Sequence, residues 1–187
     1  MKKFFVFLAL VFVIFSYDTF AQRGRMISKM SLGGDIGLGI PTGDFSDGAN
    51  TGFGLNGVFS YFIQRDLVLT GSIGYWSFGL KGGDENVKGT FTTIPLNAGI
   101  QYRFSGGGFY PFIGAETFLF FNSVSVEVFG DKSSDSETKF GFVPLVGGAF
   151  KIAPNMEFRV NLKYTIIFTE DSNTTYLNLL GGIHFFL

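Results

Sequence analysis

The chain has 187 residues, a formal net charge of −1 and no cysteine. That length holds one domain, the near-neutral charge leaves no electrostatic footprint for nucleic acid, and the missing thiols exclude disulfides, thiolate metal sites and cysteine nucleophiles. With 26 phenylalanines and 27 glycines, the composition departs from that of an ordinary soluble core, where Leu, Ala and Val dominate.

At the N-terminus, Lys2 and Lys3 precede the apolar run FFVFLALVFVIF, Phe4 to Phe15, and a more polar stretch that ends on Ala21. The run is shorter than the roughly 20 residues that a spanning helix needs. Residues 1–21 are therefore expected to be a signal peptide, cleaved before Gln22, with 22–187 as the mature domain.

From Met30 onward apolar residues recur at every second position, the side-chain period of a β-strand. Eight such segments are expected: Met30 to Ile40, Gly52 to Phe62, Leu67 to Leu80, Phe91 to Phe104, Phe109 to Phe121, Phe140 to Ile152, Met156 to Glu170, and Thr175 to Leu187. The seventh shows the pattern most clearly. In MEFRVNLKYTIIFTE, one face carries Phe158, Val160, Leu162, Tyr164, Ile166 and Phe168, and the other carries Glu157, Arg159, Asn161, Lys163 and Thr165. Connections after odd strands are long or polar, and those after even strands are short (QRD, SGGG, APN). Antiparallel neighbours joined in this way place the short turns at one end and the long loops at the other.

Volume decides which face meets water. An eight-stranded barrel has an interior just wide enough for its own side chains or one small ligand, and the aromatics of the apolar face, from Phe53 to Phe185, cannot all fit there. The opposite face is rich in glycine, serine and threonine and suits a narrow lumen. Strands of about 11 residues also match what a tilted strand needs to cross a membrane, and a spanning sheet must close on itself because hydrocarbon cannot satisfy an open edge. The expected fold is all-β, an eight-stranded antiparallel up-and-down transmembrane β-barrel with its apolar face toward lipid.

The segments IPLNAGIQYRF (94–104), FYPFIGAETFLFF (109–121) and LLGGIHFFL (179–187) give the mature chain a resemblance to the small eight-stranded outer-membrane barrels related to OmpX, OmpW and the membrane domain of OmpA. The resemblance implies the outer membrane of a Gram-negative envelope. It also implies that the last strand resembles an assembly signal for the barrel-assembly machinery, with Leu187 where an aromatic is usual. OmpW-like barrels are associated with small hydrophobic solutes, and the resemblance extends that reading to this chain.

Candidate sites follow from the inward positions. His184, the one histidine, is expected at the short-turn rim, and no nucleophile neighbours it, so no catalytic residue, metal site or cofactor is assigned. The stretch DKSSDSE in the fifth connection lacks the glycine and the ligand geometry of a calcium loop. Asp35, Arg103, Glu116, Lys151, Glu157, Arg159 and Lys163 are expected to form a charge network in the lumen, with Arg103 and Glu116 on adjacent strands. Above them Trp76, Phe78, Phe118, Phe120, Val143, Leu145, Ile167 and Tyr176 form a candidate hydrophobic pocket. The expected function is a monomeric, non-enzymatic structural or surface-interaction barrel with a plugged lumen. The alternatives are a conduit or receptor for small hydrophobic molecules and a lipid-modifying enzyme. Expected partners are outer-membrane lipid, lipopolysaccharide, the assembly machinery and a small hydrophobic ligand, with no nucleic acid.

Overall fold

The computed structural model describes residues 29–81, 87–104, 107–128, 131–169 and 172–187, so the expected signal segment lies outside it. The strands are β1 (Met30–Thr42), β2 (Gly52–Phe62), β3 (Leu67–Gly79), β4 (Val87–Arg103), β5 (Phe109–Val128), β6 (Asp131–Ala153), β7 (Met156–Ile167) and β8 (Thr174–Phe186). One short helix, α1 (Phe45–Gly48), lies between β1 and β2. Every strand pairs antiparallel with its sequence neighbours, and β8 returns to pair with β1, so the sheet is a closed barrel.

The register is sheared. Starting at Leu32, the paired residues run through Phe59, Gly71, Ala98, Thr117, Phe142, Ile166 and Thr175 and arrive at Thr42, further along β1 than the start. A closed sheet with such a stagger must tilt its strands against the barrel axis, and strand number and shear together fix the interior width.

The expected alternation governs burial. Along β7, Glu157, Arg159, Asn161, Lys163 and Thr165 are buried, while Phe158, Val160, Leu162 and Tyr164 are exposed. On other strands Ile36 is 71% exposed, Phe53 66% and Ile73 58%. A continuous apolar exterior of this extent meets hydrocarbon, not water. Near the short turns, exposed aromatics pair on this surface, Tyr102 with Phe104 at 5.1 Å between ring centroids and Phe109 with Phe150 at 4.6 Å. An aromatic girdle at the membrane interface has this form.

This facing gives a direct expectation. Leu162→Arg places a cation on the lipid side at mid-strand and should cost about 2–4 kcal/mol. Ser134→Arg, on the exposed far end of β6, should stay within about 0.5 kcal/mol. Denaturant unfolding of both variants in lipid vesicles checks this, and equal losses would overturn the placement of Leu162 in hydrocarbon.

The structure corrects the sequence reading in the fifth connection. The expected loop SVSVEVFGDKSSDSETK is mostly strand: β5 and β6 stay in register from Phe109↔Phe150 up to Val128↔Asp131. β4 likewise begins at Val87, paired with Val128. The signal in the sequence is the alternation of Val124 and Val126 with Ser123 and Ser125, hidden by the Ser, Asp and Gly content of the segment. A second correction is α1, which sits inside the expected first loop.

Candidate functional site

The interior is built in layers because inward positions of successive strands meet at heights set by the shear. At the short-turn end the Arg103 guanidinium lies over the rings of Phe62 and Tyr110, 5.3 and 5.1 Å from their centroids. Phe62 also packs against Phe186 at 5.6 Å. Arg103 reaches across the lumen from β4 to β7 and donates through Nη1 and Nη2 to Glu157 Oε1 and Oε2 at 3.3 and 2.9 Å. Arg159 Nε donates to the same carboxylate at 2.5 Å, and its other nitrogens reach the hydroxyls of Ser60 (3.2 Å) and Ser31 (3.4 Å). One buried carboxylate thus serves two buried guanidiniums.

Next to this layer Asp35 accepts from Asn161 Nδ2 at 3.2 Å and lies 2.8 Å from His184 Nε2. Higher in the lumen Lys163 Nζ donates to both oxygens of Glu116 at 2.9 Å. Asp35, Glu116, Glu157, Arg103, Arg159 and Lys163 are all buried, three carboxylates against three cations. Buried charges are tolerated only when paired and hydrogen-bonded, and each here has a partner.

The two ends of this arrangement differ from expectation. Arg103 and Glu116 do not pair: the register opposes Glu116 to Gly99 and Arg103 to Phe112, and each reaches β7 instead. Lys151 keeps inward parity and pairs in register with Glu157, but it sits at the mouth, exposed, where the ladder slips between Lys151 and Ala153. It belongs to no lumen ion pair among the described residues. His184 is not a rim residue but fully buried on Asp35. The signal for it was Gly33, its register partner: a Cβ there would stand 2.3 Å from the imidazole.

Glycine has the same role at Gly182. A Cβ at that position would lie 2.1 Å from Asp35 Oδ1 and 2.2 Å from the backbone oxygen of Gly34, and the backbone oxygen cannot rotate away. Gly182→Ala should therefore cost about 1–3 kcal/mol by overpacking, whereas nothing lies within 4 Å of a Cβ at Gly71. Gly71→Ala should be neutral or slightly stabilising, since it restricts the unfolded chain. Urea midpoints of the two variants separate these outcomes.

Toward the long loops the inward side chains turn apolar. Trp76, Phe78, Phe91, Phe120, Val143, Ile167, Tyr176, Leu180 and Ala49 form one buried cluster. Within it Phe78 lies 5.0 Å from Tyr176 and 6.5 Å from Trp76 between centroids, and Trp76 Nε1 donates to Asn56 Oδ1 at 3.2 Å. The helix α1 covers the cluster: Phe45 meets Phe78 and Phe91 edge-on at 5.4 and 5.1 Å. Lys81 Nζ donates to Ser46 O of the helix at 2.7 Å. Six of the eight expected pocket residues thus come together as packing.

The other two do not join them. Leu145 packs lower, with Phe112 and Ala149. Phe118 has inward parity but is 44% exposed, and its backbone departs from regular strand geometry with φ of 157°.

A closed antiparallel barrel with an apolar exterior and a polar, ion-paired interior defines an integral outer-membrane β-barrel protein. The chain belongs to the outer membrane protein beta-barrel domain family, whose sequence profile matches residues 7–184. Among solved structures it is similar to Neisserial surface protein A, with a TM-score of 0.64 at 21% identity over 86% of this chain and 98% of that one. It is also similar to Ail, the attachment invasion locus protein of Yersinia pestis (TM-score 0.60, 19% identity, 86% and 100% covered). A third is the outer membrane protein OprG from Pseudomonas aeruginosa (TM-score 0.52, 14% identity, 83% and 94% covered). At these identities the likeness is one of fold. No curated protein matches the chain by sequence.

Proposed function

We propose that the protein is a non-enzymatic, monomeric surface-interaction barrel whose lumen is closed to solutes and whose working part is the extension of β4, β5 and β6 beyond the barrel wall. One observation carries this. β5 and β6 pair up to Val128↔Asp131, while the pairing of β6 with β7 stops at Gly141↔Ile167. Among the described residues no strand covers the other edge of β6 above Phe140, so a row of main-chain donors and acceptors is offered outside the membrane. Such an edge is a template for pairing with an extended segment of another chain. The exposed side chains along it, among them Ser134, Asp135, Ser136 and Glu137, are polar and keep the edge soluble when alone.

The packed aromatic cluster and the ion layers support a closed lumen, since eight strands leave no width beyond their own side chains. They favour this role over a hydrophobic conduit, whose expected pocket residues fill one another's space. Among the described residues the buried imidazole of His184 meets Asp35 through Nε2 and no hydroxyl or other nucleophile through Nδ1, which favours a non-enzymatic role. Ail, similar in fold, is named for attachment and invasion, a function of this kind. The proposal includes cleavage of residues 1–21 on export, leaving 22–187 as the mature barrel. It also includes assembly through the C-terminal strand, and outer-membrane lipid and lipopolysaccharide as surroundings.

Two measurements test it. The refolded mature chain in a planar bilayer should give no unit conductance, and discrete openings would overturn the closed lumen. Cells displaying a variant with the hairpin shortened to join Phe121 to Thr138 should lose adhesion to protein-coated surfaces at equal surface abundance. Unchanged adhesion would remove the extension from the function.

A further inference from the structure

A separate feature lies at the outer mouth on the seam where β8 closes onto β1. Between α1 and the start of β8 is a cleft of about 220 Å³. Its polar lining is Asp44, Ser172, Asn173 and Thr174, and its apolar lining includes Phe45 and Leu80. The volume lies below the roughly 300 Å³ at which drug-sized pockets begin, on the scale of one sugar ring.

The lining selects the chemistry of that ring. Hydroxyls and an amide both donate and accept, and a carboxylate accepts from paired hydroxyls. Among the described residues the lining has one carboxylate and no cation, which disfavours phosphate, sulfate and acidic sugars. Phe45, half-buried with its inner edge against Phe78 and Phe91, gives the cleft an aromatic wall. A ligand with one apolar C–H face and a rim of neutral hydroxyls satisfies both kinds of wall, and that ligand is a neutral sugar.

A second observation points down the lipid side from the same place. Thr42, Tyr164 and Thr175 all have outward parity, on β1, β7 and β8. The Thr42 hydroxyl lies 3.1 Å from that of Thr175 and 3.4 Å from that of Tyr164, and Thr175 Oγ1 donates to Thr42 O at 2.8 Å. Thr175 follows Thr174 of the cleft directly, and Thr42 is separated from Asp44 only by Gly43. Gly43 has φ of +57°, in the left-handed region that glycine adopts readily, and this turn carries the chain from the barrel wall into the cleft. A row of hydroxyls thus descends from the cleft along the membrane-facing wall, at the level where interfacial Tyr residues meet headgroups.

We propose that this cleft binds a neutral sugar residue. The site is independent of the β6 edge and of the closed lumen.

The test uses the mature chain refolded in a zwitterionic detergent without sugar, with backbone amide shifts of residues 172–174 followed by NMR. An alkyl maltoside is titrated in mixed micelles, and free maltose and glucose 6-phosphate are titrated in parallel. Saturable shifts with the alkyl maltoside alone support a lipid headgroup. Saturable shifts with maltose as well support the sugar site and extend it to soluble saccharides. Asn173→Ala and Asp44→Ala, both at exposed positions, should each weaken binding by about tenfold, the scale of one good hydrogen bond. No saturable shift with either maltose form overturns the proposal. Unchanged affinity in both variants, or equal affinity for glucose 6-phosphate, overturns it as well.

Discussion

Glu157→Ala should lower the unfolding free energy by about 3–5 kcal/mol, because it leaves two guanidiniums buried without their carboxylate. Glu157 is the hub of the lower ion layer: Arg103 grips both its oxygens and Arg159 Nε takes one of them. Arg159 would retain only the hydroxyls of Ser60 and Ser31. Arg103 would retain the rings of Phe62 and Tyr110, which offer about 0.5–2 kcal/mol of cation–π attraction and no acceptor. The sole tryptophan, Trp76, is 1% exposed, so its fluorescence reports unfolding in urea.

The control is removal of the whole layer. Replacing Arg103, Glu157 and Arg159 together with Met, Leu and Met takes away all three charges of the lower layer at once, and such replacements are often neutral or stabilising by about 1–4 kcal/mol. The expected order is triple variant at or above wild type, single variant far below. A Glu157→Ala loss under 1 kcal/mol would mean that the layer is wetter than its burial suggests.

The faces were legible in the sequence because side-chain period is a local property. Each strand states its own inside and outside, and β7 does so with Glu157, Arg159, Asn161 and Lys163 alternating against Phe158, Val160, Leu162 and Tyr164. Partners were not legible, because a partner depends on height and azimuth, and these come from the shear accumulated around eight strands. Arg103 and Glu116 are on neighbouring strands yet pair with Glu157 and Lys163 on β7. His184 is near the chain end yet buried, because closure lays β1 beside it and brings Asp35 to its imidazole.

Other misses have local causes. Lys151 has the right parity, but parity does not say that its strand has already reached the mouth. Leu145 is inward but lies two residues nearer the short turns than Val143, enough to place it in a different cluster. The cap was hidden because a four-residue helix is too short for a helical period. Its sequence, FSDG, looks like the loop around it. The hairpin extension was hidden because strands in water alternate with serine and acid rather than with glycine and phenylalanine.

The Glu116–Lys163 pair provides the last test, since it asks whether the interior is one coupled network or separate layers. Lys163→Met keeps the length of the side chain but leaves Glu116, 1% exposed, without its cation, for an expected loss of about 3–5 kcal/mol. Lys163→Met with Glu116→Leu removes both charges and should recover most of that loss. The lower layer and this pair share no hydrogen-bond partner. Their effects should therefore add to within about 0.5 kcal/mol when Glu157→Ala and Lys163→Met are combined. A larger coupling energy would show that charge moves or rearranges between the layers, which a stack of independent plugs does not permit and a gated path through the lumen requires.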